Sequence, residues 1–126
     1  MVITEVSTLS RECNSWREEL RNQRDRLTGA KLKLRDLSAN QTNPDILTEI
    51  EHLDNQFHIQ LINVHDLKQS IKKHDKRIQD ERAISDGLVT DDTLADHENL
   101  FDDFQRLEHT LHGIRQEFEY FVRHAS

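Results

Sequence analysis

From Val2 to Leu37 the core-type positions step by four and three residues without a slip: Val2, Val6, Leu9, Cys13, Trp16, Leu20, Gln23, Leu27, Ala30, Leu34 and Leu37, with Gln23 the one polar interruption. A mean step of about 3.5 residues keeps one stripe facing a partner along a slightly underwound helix, so the pattern commits this segment to helix packed on helix. A second series runs Ile46, Ile50, Leu53, Phe57, Gln60, Val64, Leu67, Ile71, His74, Ile78, and a third runs His97, Leu100, Phe104, Leu107, Leu111, Ile114, Phe118, Phe121. Three such stripes can be buried together only by facing a common axis.

The stripes are interrupted where helix chemistry wants ends. Asn43-Pro44 sets a capping side chain before a proline at the first helical position, Asp86-Gly87 supplies a stop, and Thr90 or Asp91 can cap the third helix. The spacing predicts helices over about 4–38, 44–84 and 91–124. Connections this short force antiparallel neighbours. The expected fold is therefore all-α: an antiparallel three-helix coiled-coil bundle, up-down-up, in a single domain over 1–126. Composition agrees, with 33% charged residues, three Gly and one Pro in 126 residues, a profile of long surface-rich helices.

Folding the first segment back on the second sets Gln23 opposite Gln60, where two amides can satisfy one another, and puts small Ala30 in a layer with bulky Phe57 or Leu53 and Phe121. Charge also matches the hairpins. Residues 41–66 carry five acidic and no basic side chains, whereas 67–83 carry six basic and three acidic ones, an order that suits the helix dipole. Flanking charges give an expectation for the winding of the bundle. If the flank with Arg17 and Lys31 faces the third helix, Arg17–Asp103, Lys31–Glu117, Lys33–Glu49, Glu5–Arg77 and Lys68–Glu108 all attract. The mirror winding offers Glu19–Arg115 and Arg77–Asp96 but sets Arg17 against Lys68 and Glu12 against Glu108. Each exposed pair is worth only about 0.3–0.5 kcal/mol, and the first winding is the one expected. The arrangement, with Trp16 inside the first helix, resembles the spectrin-repeat type of three-helix coiled coil. That resemblance implies an architecture and carries no function.

Motifs that carry chemistry are scarce in this sequence. There is no glycine-rich phosphate loop, nucleophile elbow or paired-cysteine motif, and the expectation is a non-enzymatic protein without a cofactor. A net charge of −7, with ten acids against three bases in 84–126, disfavours nucleic acid. The heptad-spaced row Arg17, Arg24, Lys31 is expected to act inside the bundle. No window is apolar enough to cross a membrane and no secretory leader is read at Met1, so the sequon at Asn40 is discarded. The single Cys13 excludes an internal disulfide and favours a reducing, cytoplasmic setting.

Eight histidines raise the question of metal. Glu49 and His52, His109 and His112, and His58 and His65 all fall beside or outside the stripe. Asp91, Asp92, Asp96, Asp102 and Asp103 serve the start of the third helix. Only Cys13, His74 and His97 occupy stripe positions, in neighbouring layers at one end of the bundle. They are the one candidate metal set, or a pair of imidazoles sensitive to pH. The expectation is burial without a metal, and a metal- or pH-responsive bundle is the alternative to the main function class.

That main class is a helical interaction or scaffold protein that binds a protein partner, most simply a second copy. Its expected contact lies on the outside of the second helix, where Ile59 and Ile62 stand one turn apart beside Leu61, His58 and His65, at the level of Gly113. Twofold packing of this face on itself gives a homodimer.

Overall fold

The structure is a computed structural model that describes residues 6–85 and 87–125. Its elements are α1 (Val6–Ala39), α2 (Pro44–Ile84) and α3 (Asp91–His124), and the described residues include no strand. The helix boundaries fall where the sequence places them. Asn43 sits in extended geometry and its side chain accepts from the Asp45 amide at 2.9 Å, ahead of Pro44 at N1. Thr90 Oγ1 accepts from the Thr93 amide at 3.2 Å, and Asp91 and Asp92 occupy the positive first turn of α3. After α2 the Ser85 amide returns to the Glu81 carbonyl at 2.9 Å. Gly87 comes next at φ 89°, a left-handed conformation that a side chain would strain. The expected first residues of α1, and Asp86 of the stop, lie outside the described residues.

Cross-helix contacts fix the directions. Ser10 meets Asp75 at 2.7 Å and Gln79 at 2.9 Å, Arg17 meets Asp75 at 3.7 Å, and Lys31 meets Asp54 at 3.2 Å, so numbers rise on α1 as they fall on α2. Between α2 and α3, Arg77 meets Asp96 at 2.6 Å and His52 meets Glu117 at 3.3 Å, again in opposite order. The bundle is up-down-up.

The core is the stripe. Leu9, Cys13, Trp16, Leu20, Leu27 and Leu34 of α1 face Ile50, Leu53, Phe57, Val64, Ile71 and Ile78 of α2, and Phe104, Leu111, Ile114 and Phe121 of α3 close the third side. Phe118 and Phe57 pack edge to face with ring centroids 5.3 Å apart. Leu20, Leu53 and Leu111 lose all exposure. Truncating any of them leaves a cavity that the long rigid helices cannot collapse, at a cost of about 2–5 kcal/mol each.

Two expectations fail. First, the winding is the mirror of the one the charges favoured. The flank with Arg17 and Lys31 faces α2, where it meets Asp75 and Asp54 rather than Asp103 and Glu117. Arg77–Asp96, a pair of the rejected winding, is present. Of the five pairs that supported the expected winding, Glu5–Arg77 involves a residue outside the described set, and none of the other four is among the described ion pairs. Of the like-charge pairs of that winding, Arg17–Lys68 is present, while Glu108 has Glu19 rather than Glu12 for its acidic neighbour. Lys68, desolvated and next to Arg24, Arg21 and Arg17, has its pKa lowered, and Glu108, desolvated beside Glu19, has its pKa raised. Exposed pairs worth tenths of a kcal/mol do not outweigh the packing of large core side chains. Second, Gln23 and Gln60 are both buried but do not bond one another. Gln23 donates to Glu19 at 3.1 Å and accepts from Arg115 of α3 at 3.0 Å, while Gln60 accepts from Asn63 at 3.1 Å. Each amide finds a partner on its own helix, and for Gln23 the mirror winding adds the Arg115 guanidinium.

Candidate functional site

At the end of the bundle formed by the start of α1, the end of α2 and the start of α3, the stripe turns polar. Cys13, His74, Thr93 and His97 are all buried there among Leu9, Trp16, Ile71 and Ile78. The sequence puts His74 and His97 in adjacent layers with Cys13 a layer further in. The structure closes the three into one cluster, with one donor atom from each residue lying within 4.8 Å of the others. His74 Nε2 lies 3.0 Å from His97 Nδ1, and Cys13 Sγ lies 4.0 Å from the same His97 nitrogen. One residue comes from each helix, so the cluster exists only when all three are assembled.

The surroundings keep the cluster neutral. Burial pushes the Cys13 thiol up to about 12, with the Asp75 carboxylate adding to the effect. Burial holds both imidazoles below the ordinary histidine value. For His74 the neighbouring His97 adds to the depression, whereas for His97 the Glu12 carboxylate opposes it. The indole confines His97: Trp16 packs on it at a centroid distance of 4.7 Å with the ring planes tilted by 34°, and Phe101 and Phe104 stack on Trp16 in turn. This explains Phe101, an off-stripe residue that is half exposed yet covers the indole.

Glu12 is the residue that sequence reasoning missed. Its Oε1 lies 3.7 Å from His97 Nε2, beyond a normal hydrogen bond, and that buried nitrogen has no hydrogen-bond partner among the described residues. The expected winding turned the Glu12 flank towards α2, away from His97, and the mirror winding brings it across. The signal was present as the Glu12-Cys13 dipeptide and was hidden by the handedness error. On its open side His74 borders a shallow groove of about 370 Å3, lined also by Lys73, Arg77, Asp96, Asn99 and Asp103.

The second candidate region is the outside of α2. Ile59 and Ile62 are 41% and 48% exposed, a large fraction for isoleucine in the middle of a helix, and His58 and His65 are exposed beside them. Leu61 is turned further in than these and packs partly against the core. Gly113 on α3 is exposed, and a Cβ added there would meet nothing within 4 Å. The other outward histidine of α2, His52, faces Glu117. Among the described residues no helix is long and apolar enough to cross a membrane. Comparison with family models, with curated proteins and with solved structures finds no match, so the residues of these two regions are what a functional reading has to rest on.

Proposed function

We propose that this chain is a non-enzymatic helical interaction protein that self-associates through the outer face of α2. The observation that carries this is the pair Ile59 and Ile62, exposed one turn apart in the middle of α2, whose other exposed large apolar side chains, Leu47 and Ile84, stand at its two ends. Less than half of each side chain is still in water, so a partner that covered it would gain roughly 1 kcal/mol from each.

A second copy is the partner this face fits. Packing α2 antiparallel on itself about a twofold axis between Ile59 and Ile62 brings Ile59 of one copy against Ile62 of the other. The same operation lays the acidic half of one α2, with exposed Glu51, along the basic half of the other, with exposed Lys73. The open space at Gly113 allows another backbone close approach on the neighbouring helix. A reducing, cytoplasmic setting suits a protein whose only cysteine is a buried free thiol.

The test is the mass in solution. Light scattering is expected to give twice the 14.9 kDa chain mass, and Ile59→Glu with Ile62→Glu is expected to give a folded monomer of unchanged helicity. A wild-type monomer at every accessible concentration would remove self-association, and a dimer that survives the double substitution would move the interface elsewhere.

A further inference from the structure

We propose that Cys13, His74 and His97 form a binding site for a borderline-soft divalent cation, zinc above all. The donor set is a thiol and two imidazoles, the ligand types that favour zinc over calcium or magnesium. The site is independent of the α2 surface and does not rest on self-association.

Geometry and burial carry the inference together. Tetrahedral zinc with nitrogen at about 2.0–2.1 Å and sulfur at about 2.3 Å spaces its ligands about 3.3 Å apart for N···N and about 3.5 Å for N···S. The corresponding separations here are 3.0 Å between His74 Nε2 and His97 Nδ1, and 4.0 Å between His97 Nδ1 and Cys13 Sγ. The whole set, Cys13 to His74 included, fits within 4.8 Å, and side-chain movements of about an ångström bring the three into register. The unpartnered nitrogen supplies a second, separate observation. His97 presents Nδ1 to the cluster and is left with Nε2 buried, unbonded and aimed at Glu12 Oε1 3.7 Å away. A histidine that ligates metal through one nitrogen characteristically gives its other N–H to a carboxylate, which fixes the tautomer and makes the ligand more basic. Metal-bound His97 has its proton on Nε2, where Glu12 can accept it.

Charge and access complete the site. On binding, the Cys13 S–H bond breaks, sulfur bonds the cation and the proton leaves to water, while both imidazoles contribute lone pairs and remain neutral. The resulting net positive charge faces Glu12 and Asp75, the two carboxylates that raise the pKa of the protonated thiol. Three protein ligands leave a fourth position for water or an exogenous ligand, and His74 borders the groove between α2 and α3 from which such a ligand would come. Because α1, α2 and α3 each give one ligand, the cation would pin the assembled end of the bundle.

The experiment uses the full chain, stripped with chelator and dialysed. Zinc titration against a chromophoric competitor is expected to give one tight ion per chain. Cobalt(II) is expected to give the intense visible bands of a four-coordinate ion with a thiolate-to-metal charge-transfer band in the ultraviolet, and to quench Trp16, which lies against His97. Cys13→Ser is expected to abolish the charge-transfer band, and Cys13→Ser and His97→Asn each to weaken zinc at least tenfold. The variant His109→Gln, at an exposed histidine remote from the cluster, should leave binding unchanged. Absence of stoichiometric zinc, a cobalt spectrum without the thiolate band, or loss of the ion in the surface-histidine variant would each overturn the proposal. Should Cys13→Ser fail to fold, the wild-type cobalt spectrum and Trp16 quenching decide the question unaided.

Discussion

The two ends of this bundle obey the same spacing rule and fill it with opposite chemistry. Where α1 ends, α2 begins and α3 ends, the buried positions are Leu27, Leu34, Ile50, Leu53, Phe57 and Phe121, with Phe118 against Phe57. Where α1 begins, three of the corresponding positions hold Cys13, His74 and His97 beside Thr93, set among Leu9, Trp16, Ile71 and Ile78. Heptad periodicity specifies which residues point inward and is indifferent to what they are. The apolar end is what hydrophobic burial alone would select. The polar end gives up transfer free energy and leaves a buried nitrogen unpaired, a departure of the kind found at functional sites.

The largest effect that can break this contrast is truncation at the apolar end. Phe57→Ala is expected to lower unfolding free energy by about 3–5 kcal/mol in urea titration. By contrast, His74→Leu with His97→Leu is expected to leave metal-free stability unchanged or higher, since both partners of a buried polar pair are replaced together. Equal losses at the two ends would mean that the imidazoles are ordinary structural elements.

Next in size is the pH dependence of the metal-free protein. Both imidazole pKa values are lowered on folding, by burial and, for His74, by His97, so the unfolded chain takes up protons first. Stability is therefore full above the unfolded value of about 6.5 and is lost as pH falls through it towards the lower folded values. Around these rings stand Glu12 of α1, Asp75 and Arg77 of α2, and Asp96 and Glu98 of α3, with Arg17 beside the Cys13 thiol. Wild type is expected to lose more stability between pH 7.5 and 5.5 than the double leucine variant, and parallel curves would contradict the burial of neutral histidines.

Smaller effects sharpen the account of the surface. Gly113→Ala is expected to raise monomer stability by about 0.5–1 kcal/mol, because a methyl there meets nothing and the helix interior favours alanine. If Gly113 borders the dimer contact, the same change weakens association, which light scattering can read separately. Smallest of all, Lys68→Gln is expected to stabilise by about 0.5 kcal/mol or less by relieving the repulsion of Arg17, Arg21 and Arg24. Had Lys68 faced Glu108 as flank charges alone suggest, the substitution would destabilise.

That last contrast marks the limit of what could be read from the chain. Stripe positions, the Asn43-Pro44 and Thr90 caps and the Gly87 stop were legible because each is a local property with a cost of a kcal/mol or more when violated. Winding was not, because the two hands bury the same stripe and differ in surface charge pairs that hardly matter. The site inherited both outcomes. Cys13, His74 and His97 could be singled out as polar intruders in the stripe, and the outward placement of Ile59 and Ile62 comes directly from periodicity. Glu12, which depends on which neighbour the α1 flank faces, could not be placed, nor could the Arg115 partner of Gln23.

The claim on which the rest depends is that the polar end is kept for binding rather than for folding, and unfolding free energy with and without zinc tests it in one comparison. Wild type is expected to be no more stable than His74→Leu with His97→Leu when metal-free, and to gain about 2.7 kcal/mol when zinc stands at 100 times its dissociation constant, while the variant gains nothing. A wild type that is more stable than the variant without metal and is unmoved by zinc would show the cluster to be core, and the account of this end of the bundle would be wrong.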